Sequence, residues 1–358
     1  MKKIQTILIT ILCILFTTSH VWAEKPKIPY SVSAILPDNQ IDPNKNYFDL
    51  RIEPGTTQEI LLSVKNLADT EIEINIIPQN GTTTTGNIDY TGAGELLENT
   101  IQYRFTDICS PKQNIHLQSK EERDIVFTLA MPPHSFEGII LGGFQIYEVL
   151  EETFLTDAKE ENSGFICIEN RFEQIIGVIL RESEEELLPE FRLGKIEPSS
   201  WNARFALTCD LELLSPTLVE GFGLTGKVIS HKNNNIVLQF KKDRFSMAPN
   251  SLYRFSENIH PDELPAGKYT MQLSISEDIT SESGNDWYLE KEFTITRAQK
   301  QEIIAITLEG QNHSRILILS ICCAILLLII IIIAINHTLR KKRRAKINVE
   351  FSKGKLSH

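Results

Sequence analysis

The most restrictive feature of this sequence is an uncharged apolar segment, Ile316–Ile335, near its C-terminus. Fifteen of its twenty residues are Ile or Leu, and each of these contributes about −0.3 to −0.6 kcal/mol to insertion near the bilayer centre. Such uniform apolarity is not typical of a core helix, so the segment is predicted to be a transmembrane helix. Five consecutive basic residues, Arg340–Arg344, lie in the tail 336–358. The positive-inside rule therefore places the tail in the cytoplasm and the long preceding part of the chain outside.

The N-terminus has the three-part pattern of a secretory signal peptide. Two lysines precede the apolar run Ile4–Phe16, and Val21 and Ala23 occupy the positions of small residues before a cleavage site. Residues 1–23 are therefore predicted to be removed, so that the exported protein begins at Glu24. The alternative is an uncleaved anchor, but the apolar run is short for a hydrocarbon layer of about 30 Å.

The exported segment between these two ends, Glu24–Ser314, is strongly acidic. It contains 25 Lys and Arg residues against 46 Asp and Glu residues, a net charge of −21. A nucleic-acid-binding surface needs clustered positive charge, so nucleic acid is excluded as a partner. The overall composition, 42% hydrophobic and 23% charged, is that of a folded chain. Its length is sufficient for two or three domains.

Cysteine usage argues against a disulfide framework. The exported segment contains three of the six cysteines, Cys109, Cys167 and Cys209, and an odd number cannot all pair within one chain. Their spacing fits no metal site. They are predicted to be buried free thiols.

The exported segment shows the period-two hydrophobic alternation of β-strands. Apolar residues alternate with polar ones in Phe48–Ile52, Ile60–Val64 and Ile72–Ile76, and turn residues separate these runs. Further strands are predicted at Ile101–Phe105, Asp124–Met131, Gly138–Val149, Phe205–Leu214, Phe222–Ser230, Ile236–Lys241, Tyr269–Ile275 and Trp287–Thr296. No amphipathic helix of three turns precedes Ala298–Leu308. The predicted fold is all-β, with two Ig-like β-sandwich domains in tandem and one C-terminal transmembrane helix.

The sequence leaves the boundary between the two domains open. Composition suggests a first sandwich at 28–150 and a second at 160–300, with a boundary near residue 155 in an acidic, polar stretch. Alternatively, the segment 166–181 pairs back onto Gly138–Val149 across a long loop and closes the first sandwich. The boundary would then lie near residue 185.

Several motifs, distributed in order over the two halves of the chain, are typical of one protein family. They are Tyr47–Leu50 with Pro54–Gly55, Val64–Asn66, Asn87–Tyr90, Met131–Pro133 and Phe136–Gly143 in the first half, and Leu218–Lys227, Phe245–Ser251, Leu264–Tyr269 and Trp287 with Lys291–Thr296 in the second. Together they resemble the two domains of the WxL-interacting proteins, which are surface proteins of Gram-positive bacteria. The resemblance covers essentially the whole chain, including both termini.

The resemblance implies a non-catalytic, membrane-anchored cell-surface adaptor without a cofactor. Its first domain would bind peptidoglycan, and its second would bind WxL-domain surface proteins, host extracellular matrix proteins or both. The matched motifs have structural explanations, so no binding residue is carried over from the family. Phe48 and Leu50 are expected in the core, Pro54–Gly55 in a turn, and Gly142–Gly143 at a bulge or a close backbone approach.

Two other classes of function compete with the adaptor. A cell-wall enzyme would need a catalytic constellation, but the nucleophile, zinc-protease and phosphate-loop motifs are absent, and no catalytic or metal-binding residue is predicted. The exported histidines are scattered singly, at positions 116, 134, 231, 260 and 313. A signalling receptor would need more than the short tail 336–358. Tyr47 and Tyr90 are candidates for stacking on sugars, although core or edge packing is the expected role of each.

Overall fold

The structure, a computed structural model, describes residues 28–149, 172–277 and 285–308, together with Leu326 and Ile329, which are both helical. The predicted signal peptide at 1–23, the predicted cytoplasmic tail at 336–358 and the rest of the apolar segment Ile316–Ile335 lie outside the described residues. Within the described ranges no helix combines the length and the apolarity needed to span a membrane.

The described residues form an all-β protein with few helices. The strands of the first half are β1 (Tyr30–Ile35), β2 (Phe48–Arg51), β3 (Thr57–Asn66), β4 (Ile72–Asn80), β5 (Thr82–Thr84), β6 (Asn87–Asp89), β7 (Glu95–Leu96), β8 (Gln113–Leu117), β9 (Glu122–Ala130), β10 (Ile139–Glu148) and β11 (Glu173–Arg181). Those of the second half are β12 (Phe191–Trp201), β13 (Arg204–Leu213), β14 (Val219–Ser230), β15 (Ile236–Met247), β16 (Ser251–Asn258), β17 (Gly267–Ser276) and β18 (Asp286–Ile295). The helices are α1 (Phe105–Ile108), a 3₁₀ turn (Pro261–Glu263) and α2 (residues 297–308).

The first half packs a three-stranded sheet, β1-β3-β9, against a five-stranded sheet, β2-β11-β10-β4-β8. The alternation predicted for Phe48–Ile52 is confirmed, because Phe48, Leu50 and Ile52 are all buried in the core between these sheets. β11 pairs antiparallel with β10 and parallel with β2, so the chain returns to the same sheet after β10.

One prediction for the first half is wrong, and another is resolved in favour of one of its two alternatives. Ile101–Phe105 is not a strand, since Phe105 instead begins α1 and its ring packs directly over Gly142. A Cβ on Gly142 would lie 2.0 Å from Phe105 Cγ, so only glycine admits this contact. Of the two alternatives expected at Gly142–Gly143, the close approach to the backbone is observed. The bulge is not, because the pairing of β10 with both neighbours continues without a register shift.

Asp49 is another departure from simple alternation, since it belongs to the polar face of the predicted strand. It is buried, and it accepts hydrogen bonds from Arg181 Nε at 2.9 Å and Nη2 at 2.6 Å. Arg181 belongs to β11, the parallel neighbour of β2. A charge-assisted pair of two hydrogen bonds offsets the cost of removing the carboxylate from water.

The second half packs the sheet β12-β13-β16-β7 against the sheet β15-β14-β17-β18. Its buried cluster includes the fully buried side chains of Leu211, Val219, Met247 and Ile275. A register shift between Leu193 and Ile196 marks a bulge in β12. Lys291 Nζ of β18 donates to the carbonyl oxygens of Leu193 and Gly194, at 3.0 and 2.6 Å, and so satisfies the backbone there.

The two halves are joined by backbone pairing as well as by side chains. β7 belongs to the first half of the chain, yet it pairs with Ser251 and Leu252 of β16 in the second. The hydroxyl of Thr83 lies 2.6 Å from that of Ser251 and accepts the backbone N–H of Ala248 at 2.9 Å. Ile139 N donates to the Pro216 carbonyl at 2.8 Å. We call these contacts the junction.

An apolar cluster completes the junction. Leu141 and Ile179 point outward from the first-half sheet and are buried against Ala248 of the second half. The side chains packed around these three are Tyr47, Ile88, Tyr90, Ile139 and Leu218. The close fit requires glycine at position 138, which has φ +69° and would place a Cβ 2.1 Å from the Pro216 oxygen.

Candidate functional site

The outer face of the five-stranded sheet carries a continuous set of polar side chains, which we call the amide face. Its members are Glu73, Asn75 and Gln79 of β4, Asn114 of β8, Gln145 of β10 and Glu173 of β11. They occupy the strand positions between buried residues such as Ile74, Ile76 and Ile146, so the alternation of the sheet directs them outward.

Hydrogen bonds join these side chains across the strands. Gln145 Nε2 donates to Glu173 Oε1 at 2.7 Å, and Gln79 Nε2 donates to Gln145 Oε1 at 3.2 Å. Asn114 Nδ2 donates to Glu73 Oε1 at 2.6 Å and to Asn75 Oδ1 at 3.0 Å. These networks fix the orientation of the amides and thus preorganise them for a ligand.

The amide face mixes hydrogen-bonding groups with small apolar surfaces. Ile77 and Ile175 flank Gln145 on either side, and Ile175 is 37% exposed. Tyr147, two residues along β10, lies between Asn75 and Glu173. Side-chain amides donate and accept. Such a face can therefore bind a polymer whose units have hydroxyl and amide edges and apolar ring faces.

Tyr90 marks the edge of the amide face and lies across Gly143 and Gly177. Its ring is so close that a Cβ on Gly143 would meet it at 2.9 Å. Burial, followed by the negative charges of Glu220 and Tyr47, raises the pKa of Tyr90 to about 12. Tyr47 and Tyr90 both pack into the apolar cluster of the junction, in the packing role expected of them.

A second candidate surface lies on the outer face of the sheet β15-β14-β17-β18, where a groove has a volume of about 420 Å³. Its polar lining consists of Thr225, Lys227, Gln239, Gln272, Ser274, Tyr288 and Glu290. Strand pairing aligns Gln239, Lys227, Gln272 and Glu290 in one row across the four strands. A second row places Thr225 and Ser274 beside Tyr288.

One residue of the groove, Tyr288, is of a type common in protein-binding surfaces. Tyr288 is 76% exposed, and large exposed tyrosines are enriched at interfaces. Gln272 Nε2 donates to Glu290 Oε2 at 2.7 Å, while Lys227 supplies a positive charge in the same row. Sequence reasoning missed this groove and the amide face, because polar residues at alternate strand positions are also typical of an ordinary solvent-facing sheet.

The described thiols and histidines are not grouped for chemistry. Cys109 and Cys209 are buried free thiols, and burial raises the pKa of each to about 12, which disfavours the nucleophilic thiolate. Cys167 lies outside the described residues. His231 hydrogen-bonds Thr270, and His260 accepts the Asp262 N–H at the start of the 3₁₀ turn. Among the residues that the structure describes, no three His, Cys, Asp or Glu side chains are placed to hold a metal ion.

Comparison with known families gave two matches along this chain. The model described as "WxL Interacting Protein, peptidoglycan binding domain" matches residues 30–148, and the one described as "WxL Interacting Protein, host binding domain" matches residues 164–304. The second match begins before β11, the strand that pairs into the first-half sheet. The two matches together cover well over half of the chain.

Solved structures with similarity to the chain include bacterial fimbrial chaperones. A chain titled as part of a chaperone-tip adhesin complex for CFA/I fimbriae biogenesis is 8% identical over 73% of this chain and 99% of that one, with a TM-score of 0.27. The CupB2 chaperone of Pseudomonas aeruginosa is 9% identical over 66% and 92%, with a TM-score of 0.25. A PapD-like domain of human CEP192 is 16% identical over 47% and 96%, with a TM-score of 0.25. No curated protein matched the chain.

Proposed function

The chain belongs to the WxL-interacting protein family, and from this premise we propose that it is a non-catalytic adaptor anchored at the surface of a Gram-positive bacterium. The proposal comprises two Ig-like domains divided at residues 182–190, between β11 and β12. The first domain binds peptidoglycan, and the second binds another surface protein. The apolar segment Ile316–Ile335 anchors both in the membrane.

The amide face is the proposed peptidoglycan site of the first domain. Peptidoglycan combines sugar hydroxyls, acetamido groups and peptide amides, and all of these pair with groups that both donate and accept hydrogen bonds. The observation that carries this assignment is the pair of hydrogen-bond networks that orient Asn114 of β8 and Gln145 of β10 on one open sheet face, with β4 between the two strands. The acidic exported segment repels anionic wall polymers at long range, so short-range contacts of this kind must supply the binding.

The test is binding of the exported segment, residues 24–314, to purified sacculi. Gln145→Leu combined with Asn114→Leu should reduce binding by about five- to 150-fold, because each lost hydrogen-bonding amide costs about 0.5–1.5 kcal/mol. The matched control is Gln239→Leu, which makes the same exchange on an exposed amide of the second domain. Equal binding by the amide-face variant and the control would contradict the assignment.

The groove around Tyr288 is the proposed site for a protein partner of the second domain. This domain lies closer to the C-terminal anchor than the first, so a partner on the same bacterial surface is within its reach. We therefore propose a WxL-domain surface protein as the main partner and host matrix proteins as secondary ones. Tyr288→Ala should weaken binding to a WxL-domain protein by about tenfold or more. Unchanged affinity in a surface-binding assay would exclude the groove.

Anchoring is tested on intact cells that carry a tag after His358. External protease should remove the exported segment while the tag stays protected, since the basic cluster Arg340–Arg344 favours the cytoplasmic side. Loss of the tag together with survival of the exported segment would contradict the proposed topology.

A further inference from the structure

A small exposed patch lies at one end of the second half, formed by Trp201, Arg204, Ile306 and Leu308. The exposed fractions of Trp201, Ile306 and Leu308 are 47%, 49% and 52%, and Arg204 is also exposed. The four residues come from two elements: the β12–β13 hairpin supplies Trp201 and Arg204, and α2 supplies the two aliphatic side chains. We call these residues the end patch.

The two elements of the end patch are held together. Thr307, which lies between the two aliphatic residues, is buried, and its hydroxyl is 3.1 Å from that of Ser200 on the hairpin. Ile303 and Ile304, one turn earlier in α2, pack against the core of the second half. Trp201 and Arg204 are directly paired across a two-residue turn. The end patch is therefore a fixed surface of the domain.

The end patch lies at the opposite end of the second half from the junction. β7 joins the sheet by pairing with Ser251 and Leu252 of β16. Leu252 in turn pairs with Glu212, near the C-terminal end of β13. The patch is at the start of the same strand, eight residues away from Glu212, or about 26 Å at about 3.3 Å per residue. The first half of the protein and the end patch thus point in opposite directions.

The chain itself brings the end patch close to the predicted membrane span. Seven residues separate Leu308 from Ile316. The eight steps between these two positions cover at most about 27 Å when extended and about 12 Å when helical. The apolar segment must therefore enter the bilayer near this end of the domain.

We propose that the end patch binds the outer surface of the lipid bilayer. Tryptophan is enriched at the membrane–water interface, where its ring sits at the level of the headgroups. Ile306 and Leu308 lie on opposite flanks of α2, because they are two residues apart in a helix, and each adds an apolar side chain at the same end of the domain. Arg204 pairs with lipid phosphate. This contact fixes the second domain upright on the membrane and directs the first domain toward the wall. The inference rests on the proposed membrane anchoring.

The test uses the protein without residues 1–23, which has two of the three tryptophans, Trp201 and Trp287. Trp287 is half-buried, with its ring 5.5 and 5.6 Å from those of Phe191 and Phe222. The protein is reconstituted in vesicles of phosphatidylcholine and phosphatidylglycerol whose acyl chains are brominated near the headgroup. Quenching of Trp201 is measured in the Trp287→Phe variant, and quenching of Trp287 is measured in the Trp201→Phe variant.

We expect Trp201 to be quenched at least about twofold more strongly than Trp287. The difference in quenching between the unsubstituted protein and Trp201→Phe gives the same quantity without altering Trp287. Ile306→Ser with Leu308→Ser should reduce quenching of Trp201, whereas Leu188→Ser, at a residue 69% exposed between the two halves, should not.

The outcomes separate the inference from the function on which it rests. If the protein floats with the vesicles but Trp201 is quenched no more than Trp287, the inference is wrong and the anchoring stands. If the protein does not float with the vesicles, the anchoring is wrong and the inference falls with it. Quenching that is unaffected by the double serine variant would also overturn the assignment to this patch.

Discussion

The junction makes a quantitative prediction, because Thr83 in the first half satisfies backbone in the second. Its hydroxyl accepts the Ala248 N–H at 2.9 Å and contacts the Ser251 hydroxyl at 2.6 Å. Thr83 is 3% exposed, so water cannot replace the lost partner without a rearrangement. Thr83→Val keeps the shape of the side chain and removes both interactions.

The expected cost follows from what remains unpaired. Ser251 retains a second hydrogen bond, to the Ala248 carbonyl at 2.6 Å, so the main loss is one buried backbone N–H. Leaving such a group unsatisfied costs about 1–3 kcal/mol. At roughly 2–4 °C per kcal/mol for a unit of this size, the melting temperature should fall by about 2–12 °C.

Calorimetry on the exported segment measures this fall, and hydrogen exchange locates it. Because the hydroxyl contacts the strand of the second half directly, amide protection in β16 (Ser251–Asn258) should decrease along with that of the hairpin that carries Thr83. The matched control is Thr84→Val, the same exchange at the next, half-buried residue. If both variants melt alike, or if protection in β16 is unchanged, the junction does not couple the two halves.

Three further predictions concern the rest of the exported segment. Replacing Cys109 or Cys209 by Ala should cost about 1–2 kcal/mol, and a reducing agent should leave the melting temperature unchanged; a drop of ten degrees would contradict free thiols. Sacculus binding should persist or strengthen from 0.1 to about 1 M salt, as the Debye length falls from about 10 to about 3 Å and repulsion is screened; collapse by about 0.3 M would require a basic patch. Tyr90 has a folded pKa of about 12, raised from 10.0, so its stabilisation is complete below pH 10 and is lost as the pH rises through 12. Alkaline unfolding of Tyr90→Phe should therefore show a shallower decline over that range, and an identical decline would exclude Tyr90 as the cause.

Strands with clear apolar alternation could be predicted from the sequence, whereas the bulged strand β12 could not. Phe48–Ile52 and Tyr269–Ile275 follow the period of two, and the structure buries their apolar residues. β12 was missed because its bulge between Leu193 and Ile196 breaks the period. The false strand at Ile101–Phe105 has apolar residues at suitable spacing, but its last residue serves to fill the space over Gly142.

The candidate sites depend on pairings that a single sequence does not encode locally. The amide face requires Asn114 to lie beside Asn75, and Gln145 to lie near Glu173, which is more than twenty residues later in the chain. The junction requires β7, a two-residue strand, to leave its own half and join β16. Such contacts depend on tertiary packing, which overrides weak local propensity.

The adaptor hypothesis is tested most directly by asking whether this protein recruits its partner to the wall. Purified sacculi are incubated with a WxL-domain protein that does not itself sediment with them, with or without residues 24–314 of this chain. We predict that the WxL-domain protein sediments only when the chain is present. Gln145→Leu with Asn114→Leu should reduce sedimentation of both proteins together, whereas Tyr288→Ala should leave the chain on the sacculi and release the partner. If the chain neither sediments with sacculi nor changes the sedimentation of the partner, the adaptor function is contradicted.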